Sequence, residues 1–132
     1  MFTLVIIRGI TKGMKPENKA NNLWKERCVE KWGEHCNCYC GAQAISVHHF
    51  IAKSRSNHLR YDVKNGVPIC RACHWTLHSS PDTLKRRALE DTVIKARGPI
   101  WLAYIEEGSR KLINKNKGWL KGQIERLENN CQ

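Results

Sequence analysis

Carboxylates are scarce in this chain of 132 residues, which carries 12 acidic side chains against 23 lysines and arginines and has a formal net charge of +11. Between Cys36 and Pro81 the only acidic residue is Asp62. A metal site in that segment therefore cannot be the carboxylate-rich cage that calcium sites and two-metal centres use. The excess of basic side chains instead favours a polyanionic partner, with nucleic acid ahead of a membrane surface.

Long hydrophobic runs and export signals are also lacking. The apolar run 1–10 is interrupted by Arg8 and is too short to span a bilayer. It also lacks the basic start and the small-residue cleavage site of a signal peptide, and its β-branched residues predict a strand. We therefore expect a cytoplasmic protein with no membrane partner. In a reducing compartment, its seven cysteines favour metal binding over disulfides.

The chain has no internal repeat and no low-complexity segment, and its length predicts a single domain, 1–132. A helix is predicted over 15–31, because apolar residues recur at helical spacing between a proline and a glycine. The middle segment, 36–80, predicts strands at 45–50 and 67–69, a turn at Asn65-Gly66, and a helix over 71–79.

The rest of the chain, 82–132, predicts a helical extension in three pieces, with Asp82 as the first cap, a break at Gly98-Pro99 and a third piece after Gly118. Its apolar residues are expected to face inward: Leu84, Ala88, Leu89, Val93, Trp101, Tyr104, Ile105, Leu112, Leu120, Ile124 and Leu127. The predicted fold class is thus α+β, with an N-terminal strand and helix, a compact centre and a helical tail.

Two groups of cysteines predict a structural zinc site. Cys70 and Cys73 form a C-x-x-C pair, the spacing at which two thiolates reach one tetrahedral metal. In the first group, Cys40 precedes a glycine as in a zinc knuckle, whereas Cys38 is one residue too close to it and Cys36 one too far. We favour Cys36, Cys40, Cys70 and Cys73 as the ligands, with Cys38 as the alternative to Cys36. Such a site joins two distant loops and contributes folding free energy.

Residues 70–74 also read C-x-x-C-H, the attachment motif of c-type haem. Haem attachment requires export, for which the chain shows no signal. It would also leave the first cysteine group unexplained, so we favour zinc over haem.

The histidines predict a second metal site. His74 and His78 are four residues apart on a predicted helix, which places both imidazoles on one face, where they can share a metal. His48 and His49 are neighbours on a predicted strand and would point to opposite faces, so both reach one site only where the strand ends and bends. His35 is either an exposed residue or a second-choice zinc ligand.

Taken in order, residues 47–50, 61–65 and 69–78 resemble the HNH endonucleases, which are nucleases with a treble-clef-like ββα-metal core. The resemblance covers about residues 36–80. The zinc knuckles are similar in style to those of phage-encoded recombination nucleases, and the nuclease colicins share the His-His and His-x-x-x-His arrangement. The resemblance also suggests a phage or prophage origin, and hence a bacterial host cytoplasm.

The resemblance implies a role for each site residue. His49 would be the general base, and Asn65 would orient both the loop and the imidazole of that base. His48, His74 and His78 would ligate one divalent metal ion, for which an all-nitrogen set accepts magnesium, manganese, nickel or zinc.

The expected partner is DNA, and the basic residues near the motif are candidate phosphate contacts: Lys53, Arg55, Arg60 and Arg71. The sequence leaves two functions open. One is a metal-dependent HNH endonuclease that nicks or cuts DNA, where cutting both strands favours a homodimer or sequential nicks. The alternative is a zinc-stabilised nucleic-acid-binding module without cleavage activity.

Overall fold

A computed structural model of the chain describes residues 13–129, without the side chain of Lys117. The predicted N-terminal strand, 1–10, lies outside the described residues. Within them, the fold is α+β. Its elements in chain order are helix α1 (Pro16–Trp32), strand β1 (Ser46–His49), a 3-10 turn (Val63–Asn65), strand β2 (Gly66–Ile69), and helices α2 (Arg71–Ser79), α3 (Thr83–Arg97), α4 (Pro99–Ser109) and α5 (Lys117–Glu128). None of the helices in this part of the chain is long and apolar enough to cross a membrane.

Helix α1 begins and ends where the sequence predicts, to within one residue. Pro16 occupies its first turn, where a missing backbone N–H costs nothing. Gly33 ends it with a φ of 93°, a conformation that favours glycine, and its N–H donates to the Val29 carbonyl at 2.9 Å. The reversal at Gly33 directs the chain towards the first cysteine group.

Strands β1 and β2 form an antiparallel pair, in which Ser46 lies opposite Ile69 and His49 lies opposite Gly66. The predicted turn at Asn65-Gly66 is wrong. The chain turns one step earlier, in the 3-10 turn, where the Asp62 side chain accepts a hydrogen bond from the Lys64 N–H at 2.9 Å. Gly66 is therefore already the first residue of β2, and the connection between the strands is a long loop, 50–62.

Two hydrophobic clusters hold these elements together. The first packs the cysteines against β2 and against Val93, Trp101 and Ile105 from α3 and α4. The second packs α1 against β1, the loop before β2 and Leu127 of α5. Because α1 and α5 share this second cluster, the helical tail is part of the packing around the sheet. Arg27 reinforces it by donating from Nε to the Leu127 carbonyl at 2.7 Å.

Several tail residues do not face inward as predicted. Leu84 is 75% exposed and Leu112 is 98% exposed, and Ala88 is exposed as well. Helix α3 reaches the core through its later turns, at Leu89 and Val93, and Leu112 lies beyond the end of α4. The predicted cap is confirmed, because the Asp82 side chain accepts hydrogen bonds from the N–H groups of residues 84 and 85.

Replacing Gly66 with alanine is expected to destabilise the protein. An added Cβ would overlap the Cys28 sulfur and lie 3.1 Å from Trp24 Cζ2. Both neighbours are fully buried, so they cannot move aside freely. We expect a loss of about 1–3 kcal/mol in the free energy of unfolding, as for other overpacked cores, measured by denaturant titration.

Gly122 provides the matched control for this substitution. It lies within α5, and no atom of residues 13–129 comes within 4 Å of an added Cβ. Gly122→Ala should therefore raise stability by up to about 1 kcal/mol through helix propensity. Equal effects at both glycines would contradict the packing described here.

Candidate metal centres

The first cysteine group lies in a tight loop after α1. An isolated bridge between His35 and Gln43 closes this loop, and the Cys36 N–H donates to the Ala42 carbonyl at 2.9 Å. Tyr39 and the glycine after Cys40 both have positive φ, at 57° and 85°. These two residues curl the backbone and bring Cys36 and Cys40 to the second pair.

The second pair is positioned by the start of α2. Cys70 is the N-cap of this helix, and its sulfur accepts from the Cys73 N–H at 3.5 Å. Cys73 is therefore one turn into the helix and on the same side as Cys70. This arrangement is the usual consequence of a C-x-x-C pair at a helix start.

Four sulfurs, from Cys36, Cys40, Cys70 and Cys73, all lie within 4.8 Å of one another. We refer to these residues as the cysteine cluster. The Cys40 and Cys70 sulfurs are 3.5 Å apart, close to the separation of about 3.8 Å that zinc–sulfur bonds of about 2.3 Å give in a tetrahedron. The donor set and its spacing therefore fit a structural zinc ion. Cys38 lies outside the cluster, buried in the adjacent core, and His35 is exposed and also lies outside it.

The electrostatics of the cysteine cluster also favour a cation. Burial raises the pKa of Cys73, and hydrogen bonds to neighbouring thiols raise it further. Burial also acts to raise the pKa of Cys70, but the hydrogen bond from the Cys73 N–H and those with nearby thiols lower it to about 7. Four sulfurs this close cannot all ionise unless a positive charge lies among them, so the cluster would bind metal with release of protons.

Three imidazoles form a second group, which we call the histidine cluster. His48 projects from β1, while His74 and His78 lie one turn apart on α2, and one ring nitrogen of each lies within 4.8 Å of the others. The closest pair is His48 Nδ1 and His78 Nε2, which are 3.2 Å apart. Three converging imidazoles are a suitable ligand set for one divalent metal ion.

Two imidazoles of the histidine cluster, His48 and His74, have lowered pKa values. Burial, followed by repulsion from the other imidazoles, lowers the pKa of His48 to about 3. Burial and His78 also lower the pKa of His74. Neutral imidazole is the form that binds metals, so these rings can accept a cation without first losing a proton.

Ser46, which the sequence analysis missed, contacts the histidine cluster from outside. Its Oγ lies 3.0 Å from His74 Nδ1, which leaves Nε2 as the nitrogen available to the cluster. The sequence could have indicated this contact, because Ser46 and His48 are two residues apart and therefore share one face of β1. Hydrogen-bond partners of this kind orient metal-binding imidazoles.

Ser46→Ala is therefore expected to weaken metal binding at the histidine cluster by about 10- to 100-fold. The physical reason is that His74 loses the partner that fixes its ring and tautomer. Isothermal titration of nickel or manganese into the protein would measure this change. Ser46→Thr, which keeps the hydroxyl, should retain most of the affinity. An unchanged dissociation constant in the alanine variant would refute this role for Ser46.

His49 lies beside the histidine cluster but is held by different residues. Its ring stacks on Trp24 with centroids 4.0 Å apart and planes 12° apart, and its Nε2–H donates to the Arg60 carbonyl at 3.0 Å. Burial, together with nearby Lys53, Arg60 and Lys25, lowers its pKa to about 4 despite the opposing hydrogen bond to Arg60. His49 is therefore neutral near pH 7, with Nδ1 free to accept a proton.

Asn65 is completely buried and ties down the loop between the strands. Its side chain accepts from the Ile51 N–H at 2.8 Å and donates to the carbonyls of Ile51 and Leu59 at 3.0 and 3.3 Å. These side-chain hydrogen bonds go to this loop, and none of them reaches the His49 imidazole. The Arg60 carbonyl and the Trp24 ring hold His49, and Asn65 acts on it only through the loop that carries residue 60.

One cavity of about 460 Å³ joins these groups and is lined by His49, the histidine cluster, Asn21, Lys25, Val47, Ala52, Lys53 and Ser54. We call it the histidine cavity. His48 and His49 both reach it because β1 ends there. Lys25, which the sequence analysis also missed, projects from α1 one turn after Asn21.

The four residues predicted to contact phosphate lie in different places in the structure. Lys53 lines the histidine cavity, and Arg71 lines a neighbouring groove along α2. The Arg60 side chain instead lies over the Tyr61 ring, 5.4 Å from its centroid, and lines a different cavity. Arg55 is exposed on the loop and lines none of these. Lys53 is thus the candidate phosphate contact that lines the histidine cavity, and contact between any of the four residues and phosphate stays a prediction.

The fold and its two clusters define a small α+β protein with two candidate metal centres, one of four cysteines and one of three histidines. The chain matches no protein-family model, no curated protein and no solved structure.

Proposed function

We propose that this protein is a metal-dependent endonuclease of the HNH type, which hydrolyses DNA phosphodiester bonds by nicking or by double-strand cleavage. The observation that carries the proposal is the histidine cavity, where three converging imidazoles, a separate neutral histidine and two lysines meet. The order β1, β2, α2 supports it, because the resemblance to HNH nucleases implies a ββα arrangement at this position.

His48, His74 and His78 would hold the divalent metal ion. When bound, the metal stabilises negative charge on the scissile phosphate and on the leaving oxygen. Three nitrogen ligands from the protein favour transition metals such as manganese, nickel or zinc, and still accept magnesium. The two centres are linked because Cys73 directly precedes His74 on α2. Zinc in the cysteine cluster would fix the first turn of this helix, which carries His74 and His78.

His49 is the proposed general base. Because the Arg60 carbonyl holds the proton on Nε2, Nδ1 is the nitrogen that removes a proton from the attacking water. The Trp24 stack keeps this ring from rotating, and Asn65 keeps the loop around Arg60 in place. These contacts fix the base before the substrate binds, which is what an efficient proton transfer requires.

Lys25 and Lys53 supply positive charge on the wall of the same cavity. Hydrolysis of a phosphodiester depends mainly on positioning and on neutralising the charge that develops in the transition state. The overall charge of +11 adds a non-specific attraction to the DNA backbone, which weakens as salt concentration rises.

The cysteine cluster and the basic charge alone would also suit a zinc-stabilised nucleic-acid-binding module that does not cut. A binding module has no use for a neutral, pre-oriented His49 beside three further imidazoles. For this reason we favour the nuclease over the binding module.

Cleavage of supercoiled plasmid tests the proposal. Protein freed of metal at the histidine cluster should be inactive and should produce nicked or linear DNA when magnesium, manganese, nickel or zinc is added back. A folded protein that retards DNA in a gel but cuts with none of these metals would overturn the nuclease in favour of the binding module.

A further inference from the structure

We infer that Trp75, with Ile45 and Arg71, forms a stacking platform for an unpaired nucleobase of the DNA strand. The proposed nuclease would then prefer strands that are unpaired beside the scissile phosphate. This inference rests on the proposed function and adds a substrate class to it.

The platform is a groove of about 440 Å³ along α2, which we call the Trp75 groove. Its walls include Ile45, Ser46, Arg71 and Trp75, together with His74 and His78. His74 and His78 also line the histidine cavity, so the two imidazoles stand between the two depressions. A DNA strand whose phosphate contacts the histidine cluster would therefore place adjoining nucleotides in the groove.

Two of the exposed side chains in the groove are large and apolar. Trp75 is 58% exposed and Ile45 is 48% exposed. Among residues 13–129, no hydrogen bond reaches the Trp75 indole and no other ring stacks on it. On α2, Arg71 is four residues before Trp75 and His78 is three after it, so all three share one side of the helix.

The charge of the groove favours nucleic acid over a protein partner. Its described lining residues include Arg71 and two histidines but no carboxylate. In DNA, the group that matches an exposed indole is the face of a base, while the arginine can contact the flanking phosphate. In a fully paired duplex the bases are stacked inside the helix, so only an unpaired or extruded base can reach Trp75.

Binding of DNA to full-length His49→Ala protein separates recognition from cleavage. The probes are a fluorescein-labelled single strand, the same strand in a fully paired duplex, and a duplex with one unpaired nucleotide, all followed by anisotropy. Adding Trp75→Ala should reduce affinity for the single strand and for the unpaired nucleotide by roughly tenfold, the scale of one base–aromatic stack, with little effect on the paired duplex. Trp75→Phe should retain most of the affinity.

The matched control is Ile100→Ala, which removes an apolar side chain that is 87% exposed on α4, outside the groove. It should leave all three affinities unchanged. A series of single strands, each with one abasic nucleotide at a different position, completes a double-mutant cycle with Trp75→Ala. At one position the missing base should lower the affinity as much as Trp75→Ala does. When that strand binds the Trp75→Ala protein, the affinity should fall no further.

Equal losses on all three DNAs, or no loss, in a folded Trp75→Ala protein would overturn the stacking platform. Plasmid cleavage by the wild-type protein is scored separately. If the wild-type protein nicks DNA when metal is present but Trp75→Ala does not change DNA binding, the platform is rejected and the proposed nuclease is supported. Trp75-dependent binding of unpaired DNA without cleavage would support the platform and reject the nuclease.

Discussion

Replacing His49 with alanine should slow DNA cleavage by about 100- to 10,000-fold, the contribution typical of a positioned general base. The attacking water would lose its proton acceptor, while the histidine cluster that is proposed to hold the metal would remain intact. Single-turnover cleavage of a labelled DNA measures this effect directly. Affinity for metal and for DNA, measured in parallel, should change little.

His35→Ala is the control for this experiment. His35 is exposed and lies outside both clusters, so its removal should leave the cleavage rate unchanged. If both histidine variants cleaved at the wild-type rate, His49 would not be the base. If His49→Ala lost metal as well as activity, its role would be that of a ligand.

Replacing Cys36 with alanine should abolish zinc binding at the cysteine cluster and cooperative folding of the protein. The Cys36 sulfur is one of four that lie within 4.8 Å of one another. The residue also belongs to the hydrophobic cluster that packs the loop after α1 against β2 and α4. Structural zinc contributes about 10–16 kcal/mol of apparent binding free energy in small domains, which is as much as the whole stability of a typical domain, about 5–15 kcal/mol. We expect Cys36→Ala to lose stoichiometric zinc and its cooperative thermal transition. Elemental analysis and circular dichroism would test these two losses.

Cys38→Ala is the matched comparison, because Cys38 is equally buried in the same loop but lies outside the cysteine cluster. Removing this small buried side chain should lower stability modestly and leave the zinc content unchanged. The opposite result, with zinc lost in Cys38→Ala and retained in Cys36→Ala, would exchange the two assignments.

Local spacing made much of this site predictable. The C-x-x-C pair and the two histidines four residues apart all depend on the first turns of one helix, and α2 begins and ends where the sequence places it. Glycine and proline signals likewise predicted the ends of α1 and the break between α3 and α4. In each case, one short segment contains all the information that the prediction requires.

Contacts between distant segments were not predictable in this way. Trp24 reaches His49 because α1 packs across the sheet, and Lys25 enters the histidine cavity for the same reason. The Arg60 carbonyl, rather than its guanidinium, contacts His49, and nothing in the local sequence distinguishes these two outcomes. Leu84 and Leu112 follow a helical apolar pattern, but within residues 13–129 they remain 75% and 98% exposed.

The role of the histidine cluster is tested most directly by the nicking rate as one metal, manganese or nickel, is titrated into protein freed of metal at that cluster. The wild-type protein and His78→Ala are titrated in parallel. In the wild type we expect no nicking before the metal is added, and a nicking rate that saturates as a single equivalent binds. In His78→Ala the midpoint should move to much higher metal concentration, with zinc in the cysteine cluster unchanged. Nicking without added metal, or the same metal dependence in both proteins, would contradict the claim that the histidine cluster holds the metal that cleavage requires.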